Sequence, residues 1–153
     1  MSAVPQSGLR LEAMQEADLD AVAAIEADVY SHPWTRQNFV DSLRAGYTCR
    51  VLREEGAIVG YLVLAAAAGE AHLLNLSVAA PHQRRGHGTR LLEEATRLAR
   101  RQGARHLFLE VRPSNAPAQR LYARAGFRCV SVRRGYYPAR TDREDALVLV
   151  LTL

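Results

Sequence analysis

One segment does most to limit the folds open to this chain: Leu74-Asn75-Leu76-Ser77-Val78-Ala79-Ala80-Pro81-His82-Gln83-Arg84-Arg85-Gly86-His87-Gly88-Thr89. An apolar stretch stops at Val78, and a loop with two glycines and two arginines follows. Apolar residues at helical spacing then begin at once. The segment reads as strand, loop and helix, the repeating unit of an α/β architecture. Exposed N–H groups at a helix start, aligned with the helix dipole, favour an anion. Gly86 and Gly88 carry no Cβ, so a pyrophosphate can approach the backbone closely. Arg84 and Arg85 add positive charge beside it. A glycine pair alone is more often a turn than a phosphate site, so the surroundings have to decide.

Those surroundings alternate between strand and helix signals. Leu9, Leu11 and Ala13 alternate with Arg10 and Glu12, an opening strand. Leu19, Val22, Ala23, Ile25 and Val29 recur at steps of mostly three and four and predict a helix over 17–29, with Asp20, Glu26 and Asp28 on its polar side. Thr35 is placed to cap a second helix that buries Phe39, Val40 and Leu43 and ends at Gly46. Strands are expected over 48–54, 58–67 and 70–78, and a helix over 88–102 with Leu91, Leu92, Ala95, Leu98 and Ala99 on its apolar face. A strand over 106–111, a helix over 114–125 and strands over 127–133 and 146–153 complete the pattern. Residues 1–8 read as a frayed tail and 9–153 as one domain, since no repeat, linker or low-complexity block divides the chain.

Composition removes several chemistries. All 20 basic residues are arginine, so a Walker A loop and a pyridoxal Schiff base, which both need lysine, are excluded. The five histidines show no ligand spacing with each other or with the cysteines, and no metal site is expected. Cys49 and Cys129 are read as packing residues rather than a disulfide, which suits a reducing cytoplasm. The longest apolar run, 61–68, is too short to span a bilayer, and no signal peptide is visible. Residues 1–70 hold 5 Arg against 10 Asp plus Glu, and residues 71–153 hold 15 against 6, so net charge runs from −5 to +9. A basic half suits a phosphate-bearing ligand and an acidic half a basic partner. No interleaved basic and aromatic stripe points to nucleic acid.

A second cluster follows the loop. Glu110 ends a strand on the side opposite Leu107, Leu109 and Val111. Asn115 and Tyr122, seven apart, are expected to share one helix face. A carboxylate, a phenol and an amide near a phosphate-binding loop suit acyl transfer. Read singly, the three are as readily a solvated carboxylate, a core aromatic and a helix cap.

Gln83-x-x-Gly86-x-Gly88 after an apolar strand resembles the acetyl-CoA pyrophosphate loop of the GNAT superfamily of N-acetyltransferases. Asn115, Leu121-Tyr122 and Gly126-Phe127 resemble that superfamily's second motif. Leu109-Glu110-Val111-Arg112-x-Ser114-Asn115, Arg133-Arg134-Gly135-Tyr136-Tyr137-Pro138 and Arg143-Glu144-Asp145-Ala146 are similar to the RimI family, the bacterial ribosomal-protein-alanine N-acetyltransferases, over nearly the whole chain. Pro33-Trp34 also looks like that family.

The resemblance implies a mixed, mostly antiparallel, twisted sheet of about seven strands with about four helices, splayed at the acetyl-CoA site. It implies acetyl transfer to the N-terminal amine of a basic ribosomal protein, an N-terminal alanine, with no direct role for nucleic acid or membrane. Glu110 would be general base and Tyr122 general acid. Leu76, Ser77 and Val78 would hold the acetyl carbonyl and pantetheine arm. Gln83, Arg84, Arg85, Gly86, His87, Gly88 and Thr89 would hold the pyrophosphate, and Asn115 the cofactor's arm. Trp34, Tyr136 and Tyr137 would contact the peptide, and the acidic first half, including Glu26 and Asp28, would favour an arginine-rich N-terminus. Other amines, a non-catalytic acyl-CoA sensor and a nucleic-acid module stay open as alternatives.

Overall fold

The computed structural model describes residues 8–138 and 143–153, so the tail expected over 1–8 lies, apart from Gly8, outside the described residues. Among them the elements run β1 (Leu9–Ala13), α1 (Leu19–Val29), α2 (Arg36–Arg44), β2 (Thr48–Glu54), β3 (Ala57–Ala67), β4 (Glu70–Val78), α3 (His87–Arg101), β5 (His106–Val111), α4 (Ala116–Arg124), β6 (Arg128–Tyr137) and β7 (Glu144–Thr152). The strands form one sheet in the order β1-β2-β3-β4-β5-β7-β6. By contact the chain divides into two compact units, Met1–Leu64 with Asn75–Glu94 and Ala65–Leu74 with Ala95–Leu153.

In the first unit β1 pairs antiparallel with β2, and β2 with β3. Leu19, Val22, Phe39, Val51, Leu52 and Leu62 are fully buried there. Thr35 caps α2 as its sequence predicts: its Oγ1 accepts from Asn38 N at 3.2 Å, and Asn38 Oδ1 accepts from Thr35 N at 2.8 Å. Gly60 of β3 has no room for a side chain. A Cβ there would lie 2.8 Å from the Ser77 carbonyl oxygen and 2.9 Å from Leu91 Cδ1, so the glycine lets β3, the end of β4 and α3 pack closely.

In the second unit β4 and β5 are parallel over Glu70↔His106, Ala71↔Leu107 and His72↔Phe108. The parallel ladder stops there, although β5 continues to Val111. β7 pairs antiparallel with β5 and β6, and Leu107, Leu109, Ala146 and Val150 fill the core.

Three readings are corrected. Glu26 is on the buried side of α1, not the polar side, at 2% exposure. Three donors reach its carboxylate, which offsets the loss of water: Tyr61 Oη at 2.7 Å, Asn75 Nδ2 at 2.9 Å and the Trp34 backbone N–H at 3.0 Å. Asn115 stands outside α4 as its cap, accepting from Ala118 N at 3.2 Å, so it does not share a helix face with Tyr122. Cys129 is exposed in β6, whereas Cys49 is buried and its thiol is pushed up to about 11 by that burial.

Candidate active site

The first unit supplies the strand end and the loop. Apolar residues carry β4 to Val78, and a polar network holds that end in place. Tyr30 Oη donates to the Leu76 carbonyl at 3.2 Å and lies 2.9 Å from Ser77 Oγ, and Ser77 Oγ donates to Asn75 Oδ1 at 2.9 Å. Asn75 in turn donates to Glu26, so one buried carboxylate governs Leu76 and Ser77. Burial raises the Tyr30 and Tyr61 phenols above their ordinary range, so both stay protonated donors.

Beyond β4, Gln83 Nε2 donates to the Val78 carbonyl at 3.0 Å and ties the loop back to the strand. Arg84 at φ 64° and Gly86 at φ 84° turn the chain sharply into α3. A Cβ at Gly86 would meet nothing within 4 Å, so the turn's conformation, not crowding, calls for glycine. Arg90 N donates to the Gly86 carbonyl at 3.1 Å, which leaves the N–H groups of His87, Gly88 and Thr89 in the first turn, where a helix supplies no acceptor. Arg84, Arg85 and Thr89 are exposed. This donor set fits a pyrophosphate. The His87 imidazole is not among the exposed groups: it is 6% exposed and turned toward Glu54, with Nε2 3.4 Å from Oε1.

The second unit holds the acid–base candidates. Glu110 is on the face of β5 opposite its core residues, as alternation predicts. His72 Nε2 lies 2.8 Å from Glu110 Oε1 and Arg133 Nη1 3.9 Å from Oε2. The hydrogen bond with His72, opposed by burial and aided by the charges of His72 and Arg133, holds the carboxyl below its usual range, so it is ionised at neutral pH. Parallel pairing of β4 with β5 brings His72 to Glu110, a partnership across 38 residues with no local sequence signal. Tyr122 is 8% exposed on α4, its ring 5.5 Å from that of Phe127.

Tyr136 and Tyr137 end β6 where its register with β7 shifts, and their rings meet edge-on at 4.9 Å. Arg133 lies 3.9 Å over Tyr136 and Arg112 4.4 Å over Tyr137. Burial pushes the Tyr137 phenol up to about 12. Glu144 anchors the turn before α4, accepting from Ser114 N at 2.8 Å, Ser114 Oγ at 3.0 Å and Arg112 Nη1 at 3.1 Å. In the first unit Trp34 is half-buried, 5.1 Å from Phe39.

The family model for the acetyltransferase (GNAT) family matches residues 16–127, a span that includes the loop, Glu110, Asn115 and Tyr122. The chain belongs to the GNAT family. GNAT enzymes are acyltransferases, and acetyl-CoA is the acetyl donor. The chain is 33% identical over 143 residues to the ribosomal protein bS18-alanine N-acetyltransferase of Escherichia coli K12, covering 94% of this chain and 97% of that protein. It is also 33% identical to a putative bS18-alanine N-acetyltransferase of Bacillus subtilis, over 92% of this chain and 93% of the relative. The crystal structure of the Escherichia coli S18-alanine N-acetyltransferase superimposes with a TM-score of 0.88 at 33% identity, covering 94% of this chain and 93% of that one. Among the described residues it has the mixed sheet of seven strands and the four α-helices that the resemblance implies.

Proposed function

We propose that this enzyme acetylates the N-terminal α-amine of a protein, and specifically the N-terminal alanine of a small-subunit ribosomal protein. The observation that carries the reading is the near end-to-end 33% identity with a bS18-alanine N-acetyltransferase. An α-amine with pKa near ~8 is more often neutral at physiological pH than a lysine near ~10.4, which suits attack on a thioester without a strong base.

Acetyl-CoA supplies the thioester carbonyl that the amine attacks. Gln83, Arg84, Arg85, Gly86, Gly88 and Thr89 hold its pyrophosphate, with His87 contributing its backbone N–H. Leu76, Ser77 and Val78 bind the acetyl carbonyl and pantetheine arm, and Asn115 contacts the arm. Trp34, Tyr136 and Tyr137 receive the peptide. Glu110, ionised and held by His72, takes the amine's proton directly or through a water. Because its carboxyl sits below the ordinary range, transfer becomes favourable only as the N–C bond forms and the N–H turns acidic. Tyr122 gives its phenolic proton to the departing sulfur. Glu26 drops out of any charge attraction for a basic peptide, since its carboxylate is buried and occupied; Asp28 remains exposed.

The test pairs acetyl-CoA with a peptide beginning Ala-Arg and with the same peptide blocked at its N-terminus and carrying an internal lysine. Mass spectrometry should find acetyl only on the free α-amine. Modification of the lysine would transfer the assignment to a side-chain acetyltransferase, and acetyl-CoA binding without modification of either would favour a small amine or a sensor.

A further inference from the structure

Glu54 at the end of β2, His82 in the turn after β4 and His87 at the first position of α3 converge within the first unit. Glu54 Oε1, His82 Nδ1 and His87 Nε2 all lie within 4.8 Å of one another. Each of these atoms is sealed from solvent, and none has a hydrogen-bond partner. The His87 side chain is 6% exposed, so a nitrogen lone pair or N–H is buried without a partner, a costly arrangement unless something fills it. The two separations from the carboxylate oxygen to the imidazole nitrogens match what a metal ion would impose. Ligand atoms about 2.0–2.2 Å from a tetrahedral ion are about 3.4 Å apart. Oε1 is 3.5 Å from His82 Nδ1 and 3.4 Å from His87 Nε2, too long or poorly aimed for hydrogen bonds.

We propose that Glu54, His82 and His87 form a binding site for one divalent transition-metal ion of the zinc class. Two imidazoles and a carboxylate are borderline-to-hard donors that suit zinc, cobalt or nickel and do not suit calcium or magnesium, which take oxygen ligands. The carboxylate supplies one negative charge to the ion. A competing cation, the Arg85 guanidinium, lies 3.8 Å from the same oxygen on a side chain 56% exposed, which can turn into solvent. The histidines bracket the four residues Gln83–Gly86, so an ion here clips both ends of that loop to β2. Histidine and cysteine spacing alone gives no sign of this cluster, because its carboxylate comes from a strand 28 residues before the first histidine.

Tag-free full-length protein, stripped with a chelator and titrated with zinc against a chromophoric competitor, should bind one equivalent with a dissociation constant of micromolar or tighter and melt at higher temperature. Cobalt in its place should give visible d–d bands without thiolate charge transfer. His82→Ala and Glu54→Gln should each weaken zinc at least tenfold and abolish the thermal shift, while Cys129→Ser should change neither. His82 lies in a turn and is partly exposed, so its variant decides the matter if Glu54→Gln folds poorly. No saturable equivalent of zinc, binding that His82→Ala leaves intact, or a thiolate band in the cobalt spectrum would overturn the proposal.

Discussion

Glu110 and Glu26 show how one residue type takes opposite roles through its neighbours. Glu110 has one close partner, His72, and a more distant cation, Arg133, so its carboxylate stays charged and half free. Glu110→Gln should lower kcat by ~10²-fold or more with little change in acetyl-CoA binding, measured by steady-state kinetics and calorimetry. Removing the His72 hydrogen bond lets the Glu110 pKa rise, so the acid limb of kcat/KM in His72→Phe should move to higher pH; an unmoved limb removes His72 from the role. Glu26, by contrast, spends both oxygens on Tyr61, Asn75 and Trp34. Glu26→Gln must turn its NH2 toward one of those donors. Urea unfolding should show a loss of about 1–3 kcal/mol, larger than a surface substitution gives. Alternation along β5 identifies Glu110's outward face, but neither its partnership with His72 nor the burial of Glu26 can be read locally. Glu26 follows Ile25 on α1, and helical periodicity assigned it to water because it counts a carboxylate as polar whatever donors await it.

At the scale of elements, strand and helix boundaries follow the sequence closely where turn chemistry is explicit. Glu55-Gly56 and Gly69 close the hairpins, with both glycines at positive φ, and β2 and β4 span the expected residues. Agreement is weaker where a cap competes with helix periodicity: α4 begins at Ala116 because Asn115 spends its side chain on Ala118 N. β6 runs on to Tyr137, beyond the expected 133, because pairing with β7 carries it there through a register shift. The close packing at Gly60 is testable. Gly60→Ala would drive a methyl into the Ser77 carbonyl and Leu91, costing about 1–3 kcal/mol in urea unfolding and weakening acetyl-CoA binding as the end of β4 shifts.

For the whole molecule, the shifted groups set the pH range of stability. Glu110 and Glu144 have folded pKa values below 4.5, Glu144 chiefly through its Ser114 hydroxyl hydrogen bond, so their contribution is full above that pH and lost as pH falls through the folded values. Tyr30, Tyr61 and Tyr137 lie above 10.0, so their contribution is full below that pH and lost as it rises, through about 12 for Tyr137. The melting temperature should therefore fall as pH drops below the first limit and as it rises past the second; a melting temperature unchanged across either range would contradict it. The sequence alone determined the order of elements, the glycine-and-arginine loop between β4 and α3 and the family, because periodicity, turn residues and motif spacing are local and survive in one dimension. Tertiary structure alone decided that His72 holds Glu110, that Glu26 anchors the end of β4 and that Glu54 meets two histidines. Each of these joins residues far apart in the chain, and only the sheet's strand order and the burial that follows from it bring such groups within reach of one another.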